Sequence, residues 1–188
     1  MTGTTHYWDT RSTAAYEYHG ELFYTITPIA YYYERRRRIV EQLVRAITHL
    51  PHTARILDYG CGDGAYLRML QHQRPASYFG CDISEGFINR AHDECSADVR
   101  LSVMQAAQIP FDTTFECIYC SAVLAHILDD NMLAAALRDL RAHLASGGVF
   151  YMAEATAWWR RNGPTWTRRT PSDYCRMITD AGFRVIAR

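Results

Sequence analysis

Two hydrophobic periods alternate along this chain. Ile39, Leu43, Ile47 and Leu50 recur every three to four residues, which predicts an amphipathic helix from Glu34 through His49, ended by Pro51. Short apolar runs follow near Arg55, then at Tyr78 to Asp82, Arg100 to Met104, Phe115 to Ser121 and Val149 to Ala153. They have strand length, and Phe115 to Ser121 is apolar enough to be buried on both faces. Helical stripes separate them. Leu67 and Leu70 lead to about His72; Phe87, Ile88 and Ala91 follow a Ser84 cap; Leu133, Leu137, Leu140 and Leu144 run into Ser146-Gly147-Gly148. Thr170, Pro171 and Asp173 have the pattern of a capping box, Gly182 closes that last helix, and FRVIAR has the pattern of a final strand.

Candidate chemistry concentrates where the first strand meets its helix, in ILDYGCGDGAYLRML (Ile56 to Leu70). Gly60, Gly62 and Gly64 make a loop in which the chain turns sharply and a ligand can approach the backbone without meeting a Cβ. The spacing is G-x-G-x-G, not the G-x-G-x-x-G of dinucleotide sites, and spacing alone discriminates weakly. Charge adds more. Asp58 precedes the loop and Asp63 lies inside it, so a pyrophosphate would meet two carboxylates where a helix N-terminus alone would attract it. An ammonium group would be welcomed. About twenty residues on, Asp82 ends the next strand, where a carboxylate can accept hydrogen bonds from both hydroxyls of a ribose. An amine plus a ribose describes S-adenosylmethionine.

ILDYGCGDG, Asp82, the segment QAAQIPF, the strand FECIYCSAVLAHI and the run LRDLRAHLASGGVFYMAEA together resemble class I S-adenosylmethionine-dependent methyltransferases, from about Tyr7 to the end of the chain. The resemblance implies a three-layer α/β domain with a mostly parallel sheet in the order 3-2-1-4-5. It implies methyl transfer from S-adenosylmethionine. Asp58, Gly60, Cys61, Gly62 and Gly64 are expected to hold the aminocarboxypropyl part, Asp82 the ribose, and Ile83, Gln105 and Ala106 the adenine. Cys120 and Ser121 lie beside the reacting methyl if theirs is the fourth strand. Family members usually place an acid where Gln105 stands; its side-chain carbonyl can accept the same bond from adenine. They also usually insert an antiparallel strand that is missing here, so FRVIAR is expected beside the fifth strand, or else that edge is completed by another subunit.

The first fifty residues are expected to form a lid and leading helix over the core of residues 51–188, in one domain. By resemblance Tyr16 borders the cofactor, with Tyr7, Trp8, Tyr24 and Tyr33 towards methyl and acceptor. Packing of the lid onto the domain is the alternative for any one of them. His126 is a plausible general base, although the family's matching histidine usually supports its loop. Glu154 emerges after the fifth strand, where a carboxylate can orient a cationic amine or take its proton; the alternative is a solvated loop acid or a partner for the arginines that follow. Trp158, Trp159 and Trp166 among Arg160, Arg161, Arg168 and Arg169 either clamp a carboxylate or flat ring, or mark a homodimer interface.

Composition narrows the class. The 188 residues carry 20 basic and 20 acidic side chains and no net charge, which disfavours a nucleic-acid substrate. No run is apolar enough to span a membrane and no signal peptide is visible, so a cytoplasmic location is expected. Six cysteines sit mostly in apolar segments and are expected as free thiols; Cys117 and Cys120 should point to opposite faces of their strand. No metal-ligand spacing is visible. The acceptor is expected to be a small metabolite. Aromatic rings with Asp9, Glu34 and Glu154 favour an amine or guanidine nitrogen. A phenol or carboxylate oxygen is the alternative, and an inactive cofactor-binding subunit that activates a partner is a third reading of another class.

Overall fold

The computed structural model describes residues 6–10 and 29–186. Tyr16 and Tyr24 fall outside them. Residues 6–10 are helical. The first long helix, α1 (Ile29–Ala46), begins five residues before the position its apolar stripe predicts. Five strands follow: β1 (Arg55–Tyr59), β2 (Ser77–Asp82), β3 (Arg100–Val103), β4 (Phe115–Ser121) and β5 (Leu144–Ala153). Between and after them come α2 (Ala65–Gln73), α3 (Glu85–Glu94), a 3-10 turn (Leu124–His126), α4 (Asp130–His143) and α5 (Pro171–Asp180).

The strands form one parallel sheet in the order β3-β2-β1-β4-β5. Strand alternation sorts the core onto two faces. Ile56, Tyr78, Cys117 and Tyr119 pack with Val40 and Leu43 of α1 and Ile47 just after it, Leu67 and Leu70 of α2 and Ile88 of α3. Leu57, Phe79, Ile118 and Cys120 pack with Leu133, Leu137 and Leu140 of α4 and Tyr174 of α5. Cys117 and Cys120 therefore occupy opposite faces, and all six cysteines are free. Because the chain runs from β1 outward to β3 and returns to β4 on the other side, helices leave the neighbouring strands β1 and β4 in opposite directions. A crevice opens at their carboxyl ends, the general ligand position in open sheets.

Two details differ from expectation. Phe115 lies opposite Leu144 but Cys117 opposite Val149, so residues 145–148 bulge against Glu116 alone, with Gly147 left-handed at φ 74°. The predicted glycine turn is thus a bulge within β5. At the other end, Phe183 to Ile186 form no strand. The Phe183 amide donates to the Ile178 carbonyl (3.2 Å), and its ring packs on Phe150 with centroids 5.1 Å apart, which turns the chain onto the sheet face instead of along β5. A short antiparallel pair, β6 (Arg161–Asn162) with β7 (Thr167–Arg168), lies instead in the segment between β5 and α5. Among the described residues no helix is long and apolar enough to cross a membrane.

Candidate active site

The crevice floor is the glycine loop. The amides of Gly60 and Cys61 both donate to the Cys81 carbonyl at the end of β2 (2.8 and 3.0 Å), which ties the loop to the neighbouring strand. Gly60, Gly62 and Gly64 all have positive φ. A Cβ on Gly60 would meet Val123 Cγ2 at 2.4 Å, whereas one on Gly62 would meet nothing within 4 Å among the described residues. Gly60 is required by the protein's own packing; Gly62 faces open space that a ligand can fill. The Cys61 side chain is buried among the residues beneath the loop, so only its backbone faces the crevice.

Two carboxylates flank that floor. Asp58 is 1% exposed, and among the described residues its Oδ2 and the buried hydroxyl of Tyr119 beside it meet no partner in good hydrogen-bond geometry. Burial pushes the Asp58 carboxyl up to about 8, against the Tyr119 hydroxyl, which favours the charge; Asp82 and Asp63 oppose it and Arg36 assists it. An unpaired buried acid of this kind is a site for a cation. Asp82 differs. Its Oδ2 accepts from the Gly62 amide (2.9 Å) and its Oδ1 from the Ser84 amide (3.0 Å), so both oxygens are fixed in direction while each keeps a lone pair for a hydroxyl. Burial raises its pKa and these amides pull it back.

Beyond β3 the chain makes a tight turn. Ala106 and Ala107 take φ of 50° and 60°, an unusual conformation for side chains with a Cβ, and Gln105 and Ala106 are exposed at the crevice rim. The turn is held because the Tyr59 hydroxyl donates to the Ala107 carbonyl (2.7 Å) and the Ile109 amide donates to Asp139 (2.7 Å). Ile83 packs on the core just after Asp82. Opposite, β4 ends with Cys120 fully buried and Ser121 Oγ 3.1 Å from the Tyr66 hydroxyl. Tyr66, in the first turn of α2, is a wall residue that the sequence pattern did not single out, as are Tyr119 and Arg36. Arg36 lies over the Tyr66 ring, 5.6 Å from its centre. Its neighbours Arg37 and Arg38 bond Glu34 on the outer surface, since consecutive helical residues point about 100° apart.

Three expected acceptor contacts are placed differently. Glu154 does not project from β5: its carboxylate accepts from the amides of Val123 (2.7 Å), Leu124 (2.8 Å) and Ala125 (3.4 Å) and caps the 3-10 turn. Burial raises its pKa and the three amides lower it. Trp158 is 94% exposed and Tyr33 48%. Arginines of the final loop are also engaged. Arg169, fully buried, pairs with Asp130 at 2.7 Å and donates to the Ile127 carbonyl; Arg160 pairs with the same acid, and Arg168 stacks on Trp166.

By contrast, Trp8 spans the crevice. Its ring meets His126 edge-on at 4.8 Å and Phe87 of α3 at 6.4 Å, and Tyr7 packs against it at 5.0 Å. The His126 Nδ1 lies 2.6 Å from the Thr165 carbonyl, an atom that can only accept. Nδ1 therefore carries hydrogen, and the neutral ring has its lone pair on Nε2. No group of three or more His, Cys, Asp or Glu side chains suited to a metal occurs among the described residues.

A parallel 3-2-1-4-5 sheet with an acid, a glycine loop and a second acid at its switch point defines a Rossmann-like methyltransferase fold. Residues 56–148 match the family model of a methyltransferase domain. A trans-aconitate 2-methyltransferase of Variovorax paradoxus (strain S110) is 33% identical over 120 residues, 63% of this chain and 44% of that protein. A tRNA U34 carboxymethyltransferase of Nautilia profundicola (strain ATCC BAA-1463 / DSM 18972 / AmH) is 31% identical over 97 residues, 50% of this chain and 31% of that protein. The chain thus spans less than half the length of these curated relatives. The solved DhpI-SAH complex shares the fold, with a TM-score of 0.71 at 19% identity over 95% of this chain and 85% of that one. Over residues 56–148 the chain is thus similar to a methyltransferase domain, and it shares its fold with the DhpI-SAH complex.

Proposed function

We propose that this chain transfers the methyl group of S-adenosylmethionine to a small acceptor at the carboxyl ends of β4 and β5. The observation that carries this reading is the unpartnered, buried Oδ2 of Asp58 behind an open glycine cradle, which suits the cofactor's ammonium group. Arg36, within electrostatic reach of Asp58, would face the carboxylate of the same amino-acid end. Asp82 would hold the ribose hydroxyls, Ile83 with Gln105 and Ala106 the adenine, and Cys120 with Ser121 would border the methyl. Trp8 would close over the top. When bound, the cofactor supplies a methyl carbon activated by its sulfonium sulfur. The protein's part is then alignment of the acceptor and exclusion of water.

A nitrogen acceptor remains the first reading, on different grounds from charge. Glu34 and Glu154 are engaged with arginines and backbone amides, so they lend no support. The aromatic wall of Tyr7, Trp8 and Tyr66 does, and His126 Nε2 can take an acceptor proton. Oxygen transfer is the second reading, favoured by the name of the aconitate-methylating relative. A tRNA acceptor, as in the other relative's name, fits less well with a chain of zero net charge.

The test is S-adenosylhomocysteine formation, followed by mass spectrometry across amines, guanidines, phenols, carboxylates and tRNA. Turnover confined to amines or guanidines supports the first reading. Turnover confined to phenols or carboxylates replaces it with the second. Turnover that appears only when a second protein is supplied would reveal an activating subunit.

A further inference from the structure

We infer that Asp58 is a proton-exchange site: its carboxyl is protonated in the free protein and ionises when the cofactor's ammonium group arrives, so that cofactor uptake releases a proton. This rests on the reading of the crevice as an S-adenosylmethionine site. It concerns what the free protein does with a buried acid.

The geometry leaves little choice. A carboxylate needs partners for its charge, and among the described residues one Asp58 oxygen meets none in good hydrogen-bond geometry, in a position 1% exposed to water. Other ionisable groups around it come from every neighbouring element. Asp82 at the end of β2 and Asp63 in the glycine loop are acids and oppose a second negative charge. Arg36, from α1, assists it from a distance: its guanidinium lies over the Tyr66 ring, 5.6 Å from the centre. The Tyr119 hydroxyl, from β4, already favours the Asp58 charge, but burial outweighs it, and burial holds that hydroxyl far from ionising. Cys61, in the loop, is a buried thiol pushed well above its ordinary range. The proton is therefore the counter-charge that the free site has to hand.

An incoming ammonium group replaces that proton. Its N–H groups supply the missing partner for Oδ2, the O–H bond of the carboxyl breaks, and the proton leaves to solvent. Charge is conserved at the site: one monovalent cation exchanges for another. Tyr119 acts as a positioning residue, since its hydroxyl can accept from the protonated acid and donate to the ionised one.

Three consequences are measurable. In calorimetric titrations of S-adenosylhomocysteine at pH 7, run in phosphate and in Tris, the difference in heat should correspond to release of about one proton. The truncated probe 5′-methylthioadenosine keeps the adenine and ribose, and so the contact with Asp82, but lacks the amino-acid end; its heat should be the same in both buffers. Asp58→Asn should still bind the truncated probe as the wild type does, while S-adenosylhomocysteine binds it more weakly and without proton release. Between about pH 5 and pH 7.5 the wild-type affinity for S-adenosylhomocysteine should rise close to tenfold per unit, and that of Asp58→Asn should be flat. Buffer-independent heat for S-adenosylhomocysteine with the wild type would overturn the inference, as would equal proton release for both probes, which would assign the exchange to Asp82. Failure of the wild type to bind either probe would instead overturn the reading of the site on which it rests.

Discussion

Gly60 and Gly62 are two residues apart and have the same left-handed backbone, yet they answer to different constraints. Alanine at Gly60 drives a methyl into Val123 and should lower thermal stability, by about 2 kcal/mol or more once the strained φ is added to the clash. Alanine at Gly62 meets no atom of the described residues, so its stability cost should be nearer 1 kcal/mol, while cofactor affinity should fall at least tenfold because the methyl would stand in the cradle. Calorimetry and thermal melts on the two variants separate packing from binding. Asp58 adds a pH signature to the ligand-free protein. With its pKa raised to about 8 in the fold from 3.8, the folded state holds a proton that the unfolded state has lost. Its contribution is fully present below about pH 4 and is lost as pH rises towards 8, so the free protein should lose stability across that window and Asp58→Asn should lose less.

At the scale of elements, the segment after β4 is held by groups that the sequence presented as acceptor contacts. Glu154 fastens three consecutive amides of the 3-10 turn, and Arg169 fastens the carbonyls that follow. Glu154→Gln puts an amide N–H₂ against backbone donors and should cost about 1–3 kcal/mol, a fall of several degrees in Tm, with acceptor selectivity unchanged. Arg169→Ala removes a fully buried cation, leaves Asp130 to Arg160 alone and strips a donor from the carbonyls of Leu124, Ile127 and Leu128; a loss of about 3 kcal/mol or more is expected from the cavity and the unpaired carbonyls, with the His126 turn loosened. Why these roles were hidden is physical. A charged residue at a strand's end has the same local pattern whether it faces a ligand or caps a turn thirty residues away, and the choice is made by tertiary packing. Periodicity and caps, which are local, were legible: Ser84 accepts from the Phe87 amide, and Thr170 with Asp173 closes a capping box as the spacing predicts. The fate of Phe183 to Ile186 was not, because an apolar run can satisfy itself on a sheet face as well as at its edge.

The whole molecule arranges one crevice from pieces far apart in sequence. The helical residues 6–10 bring Trp8 over it, α1 brings Arg36, β1 and β2 bring the two acids, and β4 with its 3-10 turn brings Ser121 and His126. The acids and glycines at the ends of β1 and β2 were readable because they are compressed into one loop and one strand end. The surrounding walls were not, since they come from the leading helix, the α2 first turn and the 155–170 segment, whose phases relative to one another only the fold sets. Trp158 and Trp159 remain exposed on that last segment, outside the enclosed wall. The central claim, that the two acids and the glycine loop form an S-adenosylmethionine site, is tested most directly by calorimetric binding of S-adenosylmethionine to the wild type and to Asp82→Ala. The account predicts saturable binding at one site per chain, weakened at least tenfold in Asp82→Ala while the variant melts cooperatively. Equal affinity of both proteins, or no binding to the wild type, would contradict it.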